Sequence, residues 1–187
     1  MSIAKDFGIE EYGEWLSLAS QRNGCEPLPE DLPTELWALY REGAFVDRTD
    51  LLGVALAHTW VSTDYPERRI ATVHWRTLFS ETGFCETGVS APSPLELPPL
   101  FRAAAEGHEL GMSWTDDRGK AEVFLDRNVC AGRAATLLML EGASASRALA
   151  HIHSTNWRDE NEWVIDTAGL ALSDIEILRP LSTEMSR

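Results

Sequence analysis

Five polar residues in the second half of the chain have types and spacings that suit a binding site for a phosphate-bearing sugar. Arg102 stands in an otherwise apolar stretch, LFRAAA, where a charge is costly unless it meets an anionic partner. Ser113 and Thr115 are two residues apart, so an extended strand would place both hydroxyls on one face. Glu160 and Glu162 in RDENEWVID have the same spacing. An arginine, two hydroxyls and two carboxylates together suit a sugar phosphate.

The same residues also fit an ordinary interpretation. Arg102 would pair with some carboxylate, residues 113–115 would form a plain strand, and the ENE stretch would be a solvated loop. Spacing alone leaves this alternative open. The common nucleotide, zinc and hydrolase motifs are absent from the sequence, which has no Walker loop, GxGxxG, HExxH or GxSxG.

Two other candidate sites are weaker. His151 and His153 would share one face of a strand, with Asp159 close in sequence, but no third ligand follows at a diagnostic spacing. We therefore predict an ordinary, partly exposed strand and no metal site. Tryptophans in the first half could line a ligand site, yet large aromatic residues at helical spacing are typical of a packed core. They are Trp15, Trp37, Trp60 and Trp75.

The order of the motifs resembles the ADP-ribosyltransferase superfamily of the Arg–Ser–Glu type. In that family an arginine on the first core strand is followed by a Ser-x-Ser/Thr strand and then by a Glu-x-Glu or Gln-x-Glu loop. Here Phe101-Arg102, GMSWT and ENEWVID stand in this order. The layout is also similar to small uncharacterised bacterial and phage proteins with YRG, GxSWT and ExE motifs. The likeness covers roughly residues 98–178 and implies an ADP-ribosyltransferase-like fold with NAD as substrate.

The resemblance implies a role for each residue. Arg102 would bind the NAD diphosphate or its adjoining ribose, and Ser113 would position the nicotinamide ribose and brace the glutamate, with Thr115 supporting the same strand. Glu162 would accept a hydrogen bond from the ribose 2′-hydroxyl and stabilise the oxocarbenium-like cation that forms as nicotinamide leaves. Glu160 would orient or deprotonate the acceptor.

The expected function is therefore transfer of ADP-ribose from NAD to a protein or small-molecule acceptor that the sequence does not identify. A toxin, an effector or a phage protein that modifies its host would suit such chemistry. Two alternatives stay open: an NAD glycohydrolase with water as acceptor, and a non-catalytic binding or structural protein that keeps the fold.

The elements that must position these residues divide the chain in two. Helical spacing predicts four helices in residues 1–87: one within 8–24, one capped by Thr34 and ending at Gly43, one from Asp50 to about Val61, and one from Pro66 to near Gly83. On the third, Leu51, Val54, Ala55 and His58 would line one side.

A proline-rich stretch at residues 88–99 predicts a stiff connection. Beyond it, residues 100–187 have mainly strand periodicity, with a helix at about Asp117–Arg127 and with Trp114 expected in the core. The predicted strands are Leu100–Ala103, Leu110–Thr115, Ala135–Leu140, Ala148–His153, Trp163–Asp166 and Asp174–Leu178. The predicted class is α+β, with a helical region followed by a mixed, β-rich ADP-ribosyltransferase-like domain.

Composition limits the partners and the compartment. The 187 residues carry 30 acidic and 16 basic side chains, a net charge of −14 that disfavours nucleic acid and anionic membranes. No apolar run approaches the ~18 residues of a membrane span, and no signal-peptide pattern precedes the first helix. Cys25, Cys85 and Cys130 are widely separated, so we expect reduced, buried thiols in a cytoplasmic protein.

Overall fold

A computed structural model describes residues 9–154 and 160–182. This part of the chain forms five α-helices and eight β-strands, with four of the helices before the first strand. The predicted α+β class with N-terminal helices is confirmed.

The chain packs as two compact units. The first unit is Met1–Ser93 with Leu149–Glu160, and the second unit is Pro94–Ala148 with Asn161–Arg187. The first change of unit falls inside the predicted connection at residues 88–99. The division into a helical domain, a connection and a β-rich domain stays a prediction.

The helices of the first unit agree closely with the sequence pattern. They are α1 (Ile9–Asn23), α2 (Leu32–Arg41), α3 (Thr49–Ser62) and α4 (Thr72–Thr82). Acidic residues lie in the first turn of α1 and an arginine in its last turn, which suits the helix dipole. The third helix differs from the prediction because it is buried on every side, from Leu51 to Ser62. It is therefore the central helix of this unit, and its buried surface is not limited to one side.

Two predicted helix starts are wrong. The second helix begins at Leu32, with Pro33 in its first turn, so Thr34 lies inside the helix and does not cap it. The fourth is divided into a 3-10 turn, Pro66–Arg68, and α4. The extended backbone of Ala71 separates the two pieces, and the Trp75 indole donates to the Pro66 carbonyl across the gap at 3.1 Å.

The first unit also contains a small hairpin that the sequence pattern missed. Strands β1 (Cys85–Glu86) and β2 (Val89–Ser90) are antiparallel, and β1 runs parallel to β6 (Ala148–Ser154). Thr87 and Gly88 form the turn, and both have positive φ. Gly88 approaches α3 so closely that a Cβ on Gly53 would lie 2.4 Å from the Gly88 carbonyl oxygen.

The second unit contains an antiparallel sheet of three strands, ordered β3 (Leu100–Ala105), β5 (Ala135–Leu140) and β8 (Glu176–Ser182). Helix α5 (Arg118–Cys130) begins after Asp117, whose carboxylate caps it by accepting from the Lys120 backbone N–H at 3.2 Å. The helix packs on one face of this sheet through a buried cluster of Ala121, Leu125, Ala135 and Leu137. Strand β4 (Ser113–Trp114) pairs antiparallel with β7 (Glu160–Ile165).

The tryptophan prediction is confirmed at three positions, since Trp15, Trp60 and Trp75 are buried. The cysteine prediction is only partly right. All three thiols are free, but Cys25 and Cys130 are exposed and only Cys85 is buried. The two exposed cysteines lie beside helix ends, Cys25 after α1 and Cys130 as the last residue of α5. None of the helices in the described residues has both the length and the apolar composition needed to cross a bilayer.

Candidate functional site

Strand β4 lies between the strands that carry the arginine and the glutamates. On one side Thr115 forms an antiparallel bridge to Phe101, the neighbour of Arg102 on β3. On the other side Ser113 pairs with Val164 of β7. Residues of the three sequence motifs therefore lie on adjacent strands, although parts of the chain that are far apart supply them.

The two hydroxyl residues face β7 in a defined register. Ser113 lies opposite Val164, and continuing this register by two residues places Thr115 opposite Glu162. Facing side chains in an antiparallel pair share one face, with Cβ atoms about 5 Å apart. The pairing itself ends at Trp114 opposite Trp163. On the extended register Thr115 would be the direct neighbour of Glu162, and Ser113 would be its diagonal neighbour on the same face. Ser113, Thr115 and Glu162 are all half-buried.

Trp114 holds this strand from the opposite face. Its side chain is 2% exposed, which confirms the predicted core position, and its indole N–H donates to the Gly111 carbonyl at 2.8 Å. The pairing extends beyond β4, since the Ile165 N–H donates to the Met112 carbonyl at 2.8 Å. The strand is short but fixed at both ends.

The guanidinium of Arg102 contacts the backbone. Nη1 donates to the Ser113 carbonyl, and Nη2 donates to the His108 carbonyl at 3.3 Å. The sequence predicted an anionic partner for this half-buried charge, and these two contacts are to neutral acceptors. Arg102 thus helps to set the path of the segment between β3 and β4.

The predicted glutamates lie on β7. Glu160 is its first residue, so the ENE stretch is strand rather than a solvated loop. The backbone of Glu160 is in the strand, and its side chain lies outside the described residues. The chain segment that carries Glu162 is therefore regular and extended, as the proposed two-residue spacing of the carboxylates requires.

Asp116 is a residue of this site that the sequence did not reveal. Its Oδ1 accepts a hydrogen bond from the Asn161 amide, and its Oδ2 accepts one from the Trp163 indole N–H at 3.2 Å. These are the two residues that flank Glu162. The only sequence signal is the pair Asp116-Asp117 directly after SWT. Asp117 caps α5, so only Asp116 is left for another role.

The two histidines of β6 do lie together, with ring centroids 3.7 Å apart. His151 is buried and His153 is exposed. No group of three metal-ligating residues occurs among the described positions, and Asp159 lies outside them. The third residue that a structural or catalytic zinc site requires is thus not found in the described part of the chain.

A cavity of about 450 Å³ lies in the first unit, and no predicted site residue lines it. His58 is a buried part of its wall, and its Nδ1 accepts a hydrogen bond from the Trp15 indole at 3.0 Å. Burial lowers the pKa of His58 to about 4. Because an indole nitrogen only donates, His58 is neutral in this arrangement. Carboxylates and one arginine also line the cavity: Glu26, Glu30, Asp64 and Arg69.

No protein-family model matches the chain, and no curated protein or solved structure matches it. The β3–β4–β7 arrangement, which places the predicted polar residues on adjacent strands, is the candidate functional site.

Proposed function

We propose that the protein transfers ADP-ribose from NAD to an acceptor, with the site on β3, β4 and β7. One observation carries this proposal: an arginine, two hydroxyl residues and a glutamate, predicted from the order of three motifs, lie on three adjacent strands. Had the three motifs lain on distant elements, their residues could not form one site.

The proposed chemistry centres on Glu162. Breaking the bond between nicotinamide and ribose leaves the electron pair on nicotinamide and a positive charge shared by C1′ and the ring oxygen of the ribose. A carboxylate that accepts a hydrogen bond from the 2′-hydroxyl stabilises this charge as it develops. Glu162 suits the role because it is half-buried and lies on one face with Ser113 and Thr115.

The hydroxyl residues would orient the nicotinamide ribose. The Thr115 hydroxyl oxygen accepts from the Asp117 backbone N–H at 3.1 Å, so its own proton is directed elsewhere. Its position opposite Glu162 makes Thr115 the closer support for that carboxylate. Ser113, the diagonal neighbour, would contact the ribose.

Arg102 would serve two purposes in the proposed complex. Guanidinium carries five N–H donors in a planar fork that matches phosphate oxygens. Nη1 and Nη2 donate to the carbonyls of Ser113 and His108, which fixes the approach to β4. The charge would meet the NAD diphosphate while the same side chain keeps β4 in place.

The acceptor then attacks C1′ and loses a proton. Glu160, two residues before Glu162 on β7, is proposed to receive that proton or to orient the acceptor. The acceptor is proposed to be a protein or a small molecule, since a net charge of −14 disfavours nucleic acid. A cytoplasmic toxin, effector or phage protein is the setting that we propose.

One observation favours a second candidate, a protein that keeps the arrangement without turnover. The contacts of Arg102 to the Ser113 and His108 carbonyls are sufficient to give the arginine a structural role. In that case the three strands would form a stable core, and NAD would bind weakly or remain intact.

Two labelled forms of NAD separate these possibilities. Purified protein is incubated with a cell lysate and NAD that carries the label either on nicotinamide or on the adenylate phosphate. Transfer predicts free labelled nicotinamide and a macromolecule or small acceptor that retains the phosphate label. Free nicotinamide together with free ADP-ribose indicates a glycohydrolase, and intact NAD in both samples contradicts an enzymatic role.

A further inference from the structure

Asp116 accepts hydrogen bonds from the two residues of β7 that flank Glu162. One carboxylate oxygen accepts from the side chain of Asn161 and the other from the side chain of Trp163. Asp116 lies opposite Asn161 when the β4–β7 register is continued, which is consistent with both bonds. A single side chain thus fixes the residue before and the residue after the candidate catalytic glutamate.

Because side chains alternate along a strand, fixing the two neighbours of Glu162 also determines the face to which Glu162 projects. Asn161 and Trp163 project to one face of β7, and Glu162 projects to the other. Trp163 is 7% exposed and pairs with buried Trp114, so this face is packed. Holding both flanking side chains opposes rotation of the backbone between them, which favours the face of Thr115 for the Glu162 side chain.

With the Asn161 amide in its present orientation, these two contacts suit an acid at position 116. Both partners are donors, so the residue at position 116 must offer two acceptors. An asparagine there would turn one N–H group towards a donor unless the Asn161 amide also reversed. Hydrogen bonds to a charged acceptor are also stronger than neutral ones. Asp117, the adjacent acid, has a different task because it caps α5.

We propose that Asp116 is the positioning residue for Glu162 in NAD cleavage. It does not touch the substrate; it sets the direction of the carboxylate that stabilises the ribosyl cation. This inference rests on the proposed function.

The test compares Asp116→Ala with Asp117→Ala in the full chain. Nicotinamide release from NAD is measured under conditions in which both variants are folded by circular dichroism. Asp116→Ala is expected to lower kcat by about 10- to 100-fold, because small misplacement of a catalytic group has effects of this size, while KM for NAD changes little. Asp117→Ala is expected to lose helix stability and to keep kcat.

A rescue variant excludes a general loss of structure. Asp116→Asn combined with Asn161→Asp exchanges the acid and the amide, so each partner again finds a complementary group, and Trp163 still has an oxygen to receive its N–H. The pair is expected to recover most of the kcat lost by Asp116→Ala. A wild-type protein that releases no nicotinamide would overturn both the proposed function and this inference. If the wild type is active and Asp116→Ala keeps the full kcat, the inference alone is overturned. The same holds if Asp116→Ala and Asp117→Ala lower kcat equally.

Discussion

Acidification should destabilise the first unit through His58. This imidazole is buried in α3, its Nδ1 accepts from Trp15, and the edge of the Tyr12 ring lies against it at a centroid distance of 4.9 Å. Protonation would place a charge in this buried position and would end the bond from the indole. The charged groups on the same cavity wall are Glu26, Glu30, Asp64 and Arg69.

The size of the effect follows from the two pKa values. Burial lowers the pKa of His58 from 6.5 to about 4, and the unfolded chain keeps the ordinary value. The unfolded state therefore binds the proton first as the pH falls. The contribution to stability is fully present above pH 6.5, is lost between about pH 6.5 and pH 4, and changes no further below that. A difference of this size is worth roughly 3 kcal/mol, since each step of one in pKa is about 1.4 kcal/mol.

Urea unfolding followed by tryptophan fluorescence from pH 7 to pH 4 measures this loss. His58→Gln is the matched control, because glutamine does not titrate and offers an oxygen to the Trp15 indole. The wild type should lose roughly 3 kcal/mol more than the variant over this range. Glu14, whose pKa is lowered mainly by its hydrogen bond to Arg48, is present in both proteins and affects them alike. Parallel pH profiles for the two proteins would refute the assignment of the effect to His58.

Three further outcomes are expected. Gly53→Ala should destabilise the protein by about 2 kcal/mol or more, because its Cβ would lie 2.4 Å from a backbone oxygen. Gly13→Ala, in open surroundings, should instead stabilise α1 by about 0.5–1 kcal/mol. Thermal unfolding of the two variants measures both effects. Arg102→Ala should weaken NAD binding by about 1.5–3 kcal/mol in a titration calorimeter, and unchanged affinity in the folded variant would leave Arg102 with its structural contacts alone. Glu160→Gln should retain nicotinamide release and lose acceptor labelling, while equal loss of both would refute separate roles for Glu160 and Glu162.

Sequence periodicity was most informative where an element is long or sharply bounded. The strand Ala135–Leu140 has the predicted limits because the mostly apolar stretch ATLLML ends at Glu141 and Gly142. Helix α5 has the predicted cap region, since Asp117 offers a side-chain acceptor at its start. The all-round burial of α3 was not predicted, because its single helical stripe does not reveal packing on its other sides.

Short elements and long-range contacts could not be read in the same way. The hairpin strands β1 and β2 have two residues each, too few to show alternation. Strand β4 is equally short, and the predicted strand Leu110–Thr115 is therefore too long at both ends. The contact from Asp116 to Asn161 joins residues 45 positions apart, so it depends on the register of β4 and β7. The motif order predicted the candidate residues, and the continued register of β4 and β7 indicates Thr115 as the neighbour of Glu162.

The most direct test of the proposed transferase is nicotinamide release by Glu162→Gln. Glutamine keeps the shape of the side chain and removes the negative charge that would stabilise the ribosyl cation. The rate should fall by about 10²–10³ with the fold intact, because electrostatic stabilisation of a transition state is typically worth a few kcal/mol. Glu176→Gln, an exposed glutamate on β8, is the control and should release nicotinamide at the wild-type rate. A folded Glu162→Gln protein that also keeps the wild-type rate would contradict the central claim.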